Sequence, residues 1–200
     1  ILNNGALTIV DSTLSGNTAA ADGGAISTTA SATTLMLINT TISGNSAAGS
    51  GGGMIVLGGT ATSINGTFTN NFADSDNNSL GDGGGIRVQA GTTILKNTIV
   101  SGNFNEDGAV DAADDISGTV DSSSSFNLIG TGSGGLTDGV NNNQVGSGTA
   151  ALGPLANNGG KTQTHALLSG STAIERGSNA NLPADSFDLD GDLNTAETLP

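Results

Sequence analysis

The chain has 200 residues, 33 of them glycine, and it contains no cysteine, tryptophan or tyrosine. Its 18 acidic residues outnumber four lysines and arginines and give a formal net charge of −14 at pH 7. Such a charge repels phosphate backbones, so nucleic acid is excluded as an expected partner. No run of about 18 apolar residues is present, so the sequence predicts no membrane-spanning helix.

Short strand-like segments make up the first half of the chain. Their apolar residues alternate with a period of two, which is typical of strands that send every second side chain inward. This alternation occurs in 7–10, 35–38 and 94–95, and paired glycines open a further segment at 23–24, 51–52 and 83–84. The regular recurrence argues against disorder, the competing interpretation of a polar, glycine-rich chain.

Four phrases that end in asparagine set the length of the repeat. The asparagines lie 28, 26 and 32 residues apart, and an apolar residue stands three positions before each of them. An Asp or Asn stands six positions before each, at a corner that favours a side chain tolerating a left-handed backbone. The three sets are Asn17, Asn45, Asn71 and Asn103; Leu14, Ile42, Phe68 and Val100; and Asp11, Asn39, Asn65 and Asn97.

These spacings predict an all-β fold, a right-handed parallel β-helix (solenoid) with about 26–32 residues per coil. Identical positions then stack about 4.8 Å apart. The asparagines are therefore expected to form a structural ladder, in which each amide donates to the next side-chain carbonyl. Ile42→Asp should disrupt several coils, whereas residues 46–50 are predicted as a loop that tolerates charge.

In each repeat, paired glycines followed by Ala or Gly and Ile or Met alternate with the apolar-x-x-Asn phrase, once as Phe-Thr-Asn-Asn at 68–71. This pattern resembles the repeats of chlamydial polymorphic outer membrane proteins and related bacterial β-helix surface proteins. The resemblance covers about residues 1–103. It implies a right-handed β-helix on an exported, adhesin-like protein.

From Asp115 onward the chain carries different phrases. They are Asp-Ile-Ser-Gly at 115–118, Ser-Phe-Asn-Leu-Ile-Gly at 125–130, the segment 152–168, and Gly-Ser-Thr-Ala-Ile at 170–174 followed by Gly177. Taken in order, they resemble the C-terminal portion of bacterial choice-of-anchor Q domain proteins. That family consists of secreted β-helical proteins that end in alternative surface-attachment signals. It has no established catalytic residues, and this chain departs from it at Lys161, Thr172 and Glu175.

We expect one continuous solenoid domain with three parts: β-helix coils over 1–150, a C-terminal capping segment over 151–177, and an acidic tail over 178–200. Within the coils, residues 119–129 are predicted to continue the β-helix as another coil, and the Gly- and Ser-rich run 130–150 is predicted as a long loop. The capping segment is expected to wrap or close the open end, which would otherwise expose strand edges and apolar core. His165, the single histidine, is expected to form hydrogen bonds without a catalytic role.

The acidic tail matches most positions of a twelve-residue calcium loop. Counted from Ser186, oxygen-bearing side chains fall at positions 1, 3, 5, 7, 9 and 12, and Gly191 falls at the sharp turn. The expected calcium ligands are Ser186, Asp188, Asp190, Asp192, Asn194 and Glu197. A solvated acidic linker is the alternative. A second candidate cation site follows Asn103 and comprises Glu106, Asp107, Asp111, Asp114 and Asp115.

Parallel β-helices include polysaccharide-degrading enzymes, which need acid and base groups in a groove and aromatic platforms for sugar rings. This chain has four basic residues and neither tryptophan nor tyrosine. Its adjacent Asp114 and Asp115 should point to opposite faces of a strand, where they cannot act together. We therefore expect no enzymatic activity.

Together these features predict a secreted or cell-surface structural or adhesive protein: a rigid stalk, adhesin or assembly subunit with calcium as its stabilising ion. Expected partners are other surface or matrix proteins, glycans or further copies of the chain, in an extracellular setting. Polysaccharide binding or degradation is the alternative function. Because the chain starts without a methionine or signal peptide, we expect it to be a piece of a longer protein.

Overall fold

The computed structural model describes residues 1–29, 32–106 and 111–183. Short parallel strands stack into a β-solenoid of about four turns, and only about 3% of the described residues are helical. The predicted all-β, parallel β-helix is therefore confirmed. Two short 3₁₀ helices are present, at Val140–Asn142 and Asn179–Asn181.

The first four coils contribute strands to the same three parallel sheets. Coil 1 has β1 (Leu2–Asn3), β2 (Ala6–Ser15) and β3 (Thr18–Ala19), and coil 2 has β4 (Ile26–Thr28), β5 (Thr34–Ser43) and β6 (Ser46–Ala47). Coil 3 has β7 (Met54–Val56), β8 (Thr60–Ile64), β9 (Thr67–Thr69) and β10 (Phe72–Ala73). Coil 4 has β11 (Ile86–Val88), β12 (Thr92–Lys96), β13 (Ile99–Val100) and β14 (Phe104–Asn105).

Six further strands follow in the described residues. They are β15 (Ala112–Ala113), β16 (Ile116–Ser117), β17 (Leu128–Ile129), β18 (Gln144–Val145), β19 (Leu152–Ala156) and β20 (Thr164–Leu167). The sheet orders are β1-β4-β7-β11-β16, then β3-β6-β10-β14-β15, and an eight-stranded sheet that contains β2, β5, β8, β9, β12, β13, β17 and β18. The pairs β14–β15 and β19–β20 are antiparallel.

The strand register stacks apolar side chains into one continuous core. Leu14 pairs with Ile42, Ile42 with Phe68, and Phe68 with Val100, as the three-residue offset from each asparagine predicts. Ile42, Phe68 and Val100 are fully buried, and Leu14 at the open first coil is half-buried. Burying each such side chain stabilises the fold by about 1.5–3 kcal/mol.

The corner residues adopt the left-handed backbone that their side chains tolerate. The φ angles of Asp11, Asn39, Asn65 and Asn97 are 44°, 50°, 54° and 49°. At the second glycine of each pair the reason for glycine is a close approach of the neighbouring coil. A Cβ atom on Gly24 would lie 2.1 Å from the Gly52 carbonyl oxygen, so no other residue fits there.

Residues 46–50 are not the tolerant loop that the sequence predicted. Ser46 and Ala47 form β6, which pairs with β3, and Ala47 is fully buried. A Cβ atom on Gly49 would lie 2.3 Å from the Asp22 carboxylate. A charge is therefore not tolerated at Ala47, and the segment as a whole is not a permissive loop.

The segment 130–146 lies over the last coil and is more structured than the predicted loop. The Thr131 carbonyl accepts hydrogen bonds from the Asp115 and Ile116 amides, and β18 pairs with β17. Leu136 belongs to the core cluster, and Val145 packs against it. This segment, rather than 151–177, covers the strands at the C-terminal end of the solenoid.

The β19–β20 hairpin lies along the side of the solenoid. Residues 148–153 line a surface hollow together with Thr69 and Ser101 of coils 3 and 4. Farther along the hairpin, the Gln163 carbonyl accepts a 2.6 Å hydrogen bond from the Thr13 hydroxyl of coil 1. The hairpin therefore spans the coils from the fourth back to the first.

Candidate functional site

Asn17, Asn45, Asn71 and Asn103 form the ladder that their spacing predicts. The Asn17 side-chain nitrogen donates to Asn45 Oδ1 at 2.8 Å, Asn45 to Asn71 at 2.9 Å, and Asn71 to Asn103 at 2.8 Å. The backbone amide of each of these donors bonds the same oxygen. Asn45, Asn71 and Asn103 are fully buried, so their polar groups are used for cohesion and not for a ligand.

Asp115 occupies the acceptor end of this asparagine ladder. Its Oδ1 accepts from the Asn103 amide at 2.9 Å and from Asn103 Nδ2 at 2.7 Å, and its Oδ2 accepts from the Thr131 amide at 2.7 Å. Burial raises the pKa of the Asp115 carboxyl, although the hydrogen bonds from Thr131 and Asn103 oppose the shift. Asp115 thus belongs to the structural ladder and is not free to bind a cation.

A second ladder runs along the corners in the opposite direction. Asn181 donates to Asn97, Asn97 to Asn65, Asn65 to Asn39, and Asn39 to Asp11, over distances of 3.0–3.1 Å. This corner ladder joins the segment at 178–181 to the coils, because Asn97 also exchanges hydrogen bonds with the Ser178 backbone. It ends on an acceptor-only carboxylate, Asp11, at the N-terminal end of the solenoid.

The second acidic cluster predicted by the sequence is divided among different partners. Asp114 accepts from the Gly83 amide at 2.6 Å, on the side where Arg87 bonds Asp82 at 2.7 Å. Burial raises the pKa of Asp114. The pKa of Glu106 is also raised, mainly by burial and less by repulsion from Asp111 and Asp74. Within the described ranges, no group of three acidic, histidine or cysteine side chains is arranged to hold a metal ion.

The predicted calcium ligands of the tail lie outside the described residues. These ligands are Ser186, Asp188, Asp190, Asp192, Asn194 and Glu197. Asp107 of the second acidic cluster also lies outside the described residues.

His165 and Ser43 form a hydrogen-bonded pair that sequence reasoning did not predict. His165 Nε2 lies 2.8 Å from Ser43 Oγ, and His165 Nδ1 lies 2.7 Å from the Gly153 carbonyl oxygen. A carbonyl only accepts, so Nδ1 carries a proton, and in the neutral ring Nε2 accepts from the serine. The two residues are 122 positions apart, so no local signal in the sequence could have joined them.

Ser43, His165 and the Gly153 carbonyl are arranged like a nucleophile, a base and a group that orients the base. Ser43, however, is only 4% exposed. The adjacent amides of Gly44 and Asn45 already donate to the Thr69 carbonyl and to Asn71 Oδ1, so they cannot stabilise an oxyanion. The Ser43–His165 hydrogen bond instead holds the hairpin against coil 2.

An open cavity of about 450 Å³ lies where residues 175–177 pass the last coil. Phe126, Asp138, Asn142, Gln144, Glu175 and Arg176 are among the residues that line it. A smaller cavity of about 160 Å³ adjoins it and shares Phe126, Gln144, Arg176 and Gly177. Hydrogen bonds from Ser147 and from the Val145 amide lower the pKa of Asp138, which therefore presents a carboxylate here. We call the two cavities together the Phe126 cleft.

Comparison with protein-family models, curated proteins and solved structures finds no match to this chain. In the part of the chain that the structure describes, no helix has the length and apolar character needed to cross a bilayer.

Proposed function

We propose that the chain is a secreted or cell-surface structural or adhesive β-helix protein, which acts as a rigid stalk, adhesin or assembly subunit. The observation that carries this proposal is the use of buried polar groups along the coil axis. The asparagine ladder and the corner ladder tie successive coils through side chains, in addition to the strand hydrogen bonds. Such doubly connected coils suit a stiff rod that displays surface features at fixed positions.

Calcium is the proposed stabilising ion, and its proposed ligands are Ser186, Asp188, Asp190, Asp192, Asn194 and Glu197. The spacing of oxygen ligands in the tail supports this proposal. The formal charge of −14 also favours uptake of a divalent cation. The proposed partners are other surface or matrix proteins, glycans or further copies of the chain, and the net charge argues against nucleic acid.

Adhesion tests the proposed function directly. Fluorescent protein is incubated with bacterial cells, extracellular matrix and purified cell-wall polysaccharide, and the bound fraction is measured after washing. We expect saturable binding to at least one surface by the folded protein and none by the Ile42→Asp variant, whose core is disrupted. Equal retention of the two proteins, or no retention on any surface and no assembly in light scattering, would contradict the proposal.

Polysaccharide binding or degradation remains the second candidate function, because the Phe126 cleft holds an aromatic ring beside two carboxylates, Asp138 and Glu175. Degradation would release reducing ends from a polymer, so a reducing-sugar assay over a polysaccharide panel separates it from binding. Release that Asp138→Asn and Glu175→Gln abolish would establish an enzyme. We expect no release, since the proposed role is adhesive.

A further inference from the structure

The Phe126 cleft brings together two phrases that are distant in the sequence. Phe126 belongs to the phrase at 125–130, and Arg176 and Gly177 follow the phrase at 170–174. The first phrase contributes Ile129 to the core cluster, but neither Phe126 nor Arg176 belongs to that cluster. The cleft is therefore a surface feature that the rod displays rather than a gap within it.

Phe126 adopts a backbone conformation that a bulky side chain seldom takes. Its φ angle is 57°, and its amide donates to the Asn141 carbonyl at 2.9 Å. Asn142 and Glu175, which also line the cavity, have φ angles of 57° and 56°. Such strain concentrates at sites where it positions a side chain for function, and here it keeps a half-buried aromatic ring at the cavity wall.

Arg176 leaves its charged group available in the cleft. Its backbone amide donates to the Ala173 carbonyl, but its guanidinium forms no ion pair or hydrogen bond with any residue in the described ranges. The side chain is exposed, in a protein with only four basic residues. Five N–H donors are thus free to bind oxygen atoms of a ligand.

The floor of the cleft is held rigidly by buried amides. The Asn127 amide and Nδ2 both donate to Asn143 Oδ1, at 3.1 and 2.9 Å, and Asn143 Nδ2 donates to the Ser124 carbonyl. Asn127 and Asn143 are each 2% exposed. A wall fixed in this way loses little freedom when a ligand binds.

We propose that the Phe126 cleft binds a neutral saccharide unit, with the Phe126 ring against the apolar face of the sugar and Arg176, Asn142 and Asp138 on its hydroxyls. A cavity of about 450 Å³ is large enough for small-molecule ligands. Two carboxylates against one guanidinium disfavour an acidic sugar or a phosphate, whereas carboxylates accept from neutral hydroxyls. This inference deepens the proposed adhesive function by naming what the rod recognises.

Binding by the purified full chain is measured by isothermal titration with neutral oligosaccharides of glucan, mannan, galactan and chitin, and with an oligogalacturonate as the anionic comparison. Phe126→Asn removes the ring while keeping a residue that tolerates the left-handed backbone, and Arg176→Gln removes the free guanidinium. We expect a neutral oligosaccharide to bind and each variant to weaken it at least about tenfold. Arg87→Gln, an arginine outside the cleft, is the matched control and should bind as the unchanged chain does.

Circular dichroism shows whether each variant retains the fold. The proposal is overturned if no neutral oligosaccharide binds, if only the anionic one does, or if both folded cleft variants bind as tightly as the control. Surface adhesion in the absence of sugar binding overturns this inference and leaves the adhesive function standing. Sugar binding that depends on Phe126 and Arg176 supports this inference even where adhesion to cells fails.

Discussion

Two aspartates end the two amide ladders, and each stands where only an acceptor is required. Asp115 receives both nitrogens of Asn103, and Asp11 receives Asn39 Nδ2. An asparagine in either place would bring a donor with no further ladder acceptor to receive it. The direction in which the amides donate therefore explains why each ladder ends on an aspartate.

The middle of the asparagine ladder should be far more sensitive to substitution than its open end. Asn71→Leu leaves the Asn45 amide without an acceptor and Asn45 Nδ2 with only the Leu14 carbonyl, and it removes the Asn71 Nδ2 donor from the Ile42 carbonyl, in a site with no exposure. We expect the free energy of unfolding to fall by about 3 kcal/mol or more, measured in urea. Asn17→Leu, at the exposed end, should cost about 1 kcal/mol, and equal losses would contradict a ladder that depends on burial.

Asp115 should make stability depend on pH. Its folded-state pKa lies above the ordinary 3.8, so the folded protein holds this proton more tightly than the unfolded chain. The resulting stabilisation is complete below pH 3.8 and is lost as the pH rises through the raised pKa. We expect the melting temperature to fall over that range.

Asp115→Asn tests the origin of this pH dependence. The amide keeps an oxygen for Asn103 but turns Nδ2 toward the Thr131 amide, so the variant should be less stable. Its melting temperature should nevertheless depend less on pH, because the buried ionisable group is gone. Asp121→Asn removes an exposed carboxyl whose pKa is lowered by Ser123, and it should not flatten the curve. An equal slope in Asp115→Asn and the unchanged chain would exclude Asp115 as the cause.

The ladder was predictable from the sequence, whereas its end was not. Asn17, Asn45, Asn71 and Asn103 repeat at nearly one coil length, and stacking turns that period into contact. Asp115 follows Asn103 by only 12 residues, so it lies outside the period. The contacts of His165 and Gln163 join positions 122 and 150 residues apart, and only the folded path of the hairpin brings them together.

At the scale of elements, the β19–β20 hairpin is the part of the fold most dependent on single contacts. It pairs with itself and meets the coils through the Ser43–His165 pair, the Thr13 hydroxyl and the Lys161–Asp11 ion pair at 3.7 Å. An isolated two-stranded hairpin is marginally stable in water. The hairpin therefore opens more easily than the coils beneath it.

Removing the Ser43–His165 hydrogen bond should loosen the hairpin without unfolding the rod. For His165→Ala, we expect hydrogen exchange at β20 amides to accelerate about fivefold, since one such bond contributes about 1 kcal/mol. The buried Asn45 amide, which bonds Asn71, should exchange as slowly as before. Lys161→Ala removes an exposed ion pair and should change little. Unchanged exchange at β20, or faster exchange at both places, would show that the pair does not hold the hairpin.

At the scale of the whole molecule, two segments that follow the coils make contacts with earlier coils. In a simple solenoid each coil contacts only its neighbours, and coils can unravel from an end. Here the hairpin joins coil 1 to the segment after coil 4, and Asn181 attaches the following residues to Asn97. Loss of the first coil would thus also release contacts made by residues near the other end. These contacts couple the first coil to the later residues only while the hairpin is closed against the coils.

The net charge of −14 should make the stability of the whole rod depend on salt, with calcium acting beyond simple screening. Raising NaCl from about 0.01 M to about 1 M shortens the Debye length from about 30 Å to about 3 Å, so repulsion among 18 acidic residues weakens and the melting temperature should rise. At equal ionic strength Ca²⁺ should raise it further than Mg²⁺, because a loop of oxygen ligands of flexible geometry suits the larger ion. Replacing Asp190 and Asp192 by Asn should abolish the difference between the two ions while leaving the NaCl response in place. Equal effects of Ca²⁺ and Mg²⁺ on the unchanged chain would instead assign the whole response to screening and remove calcium from the proposed function.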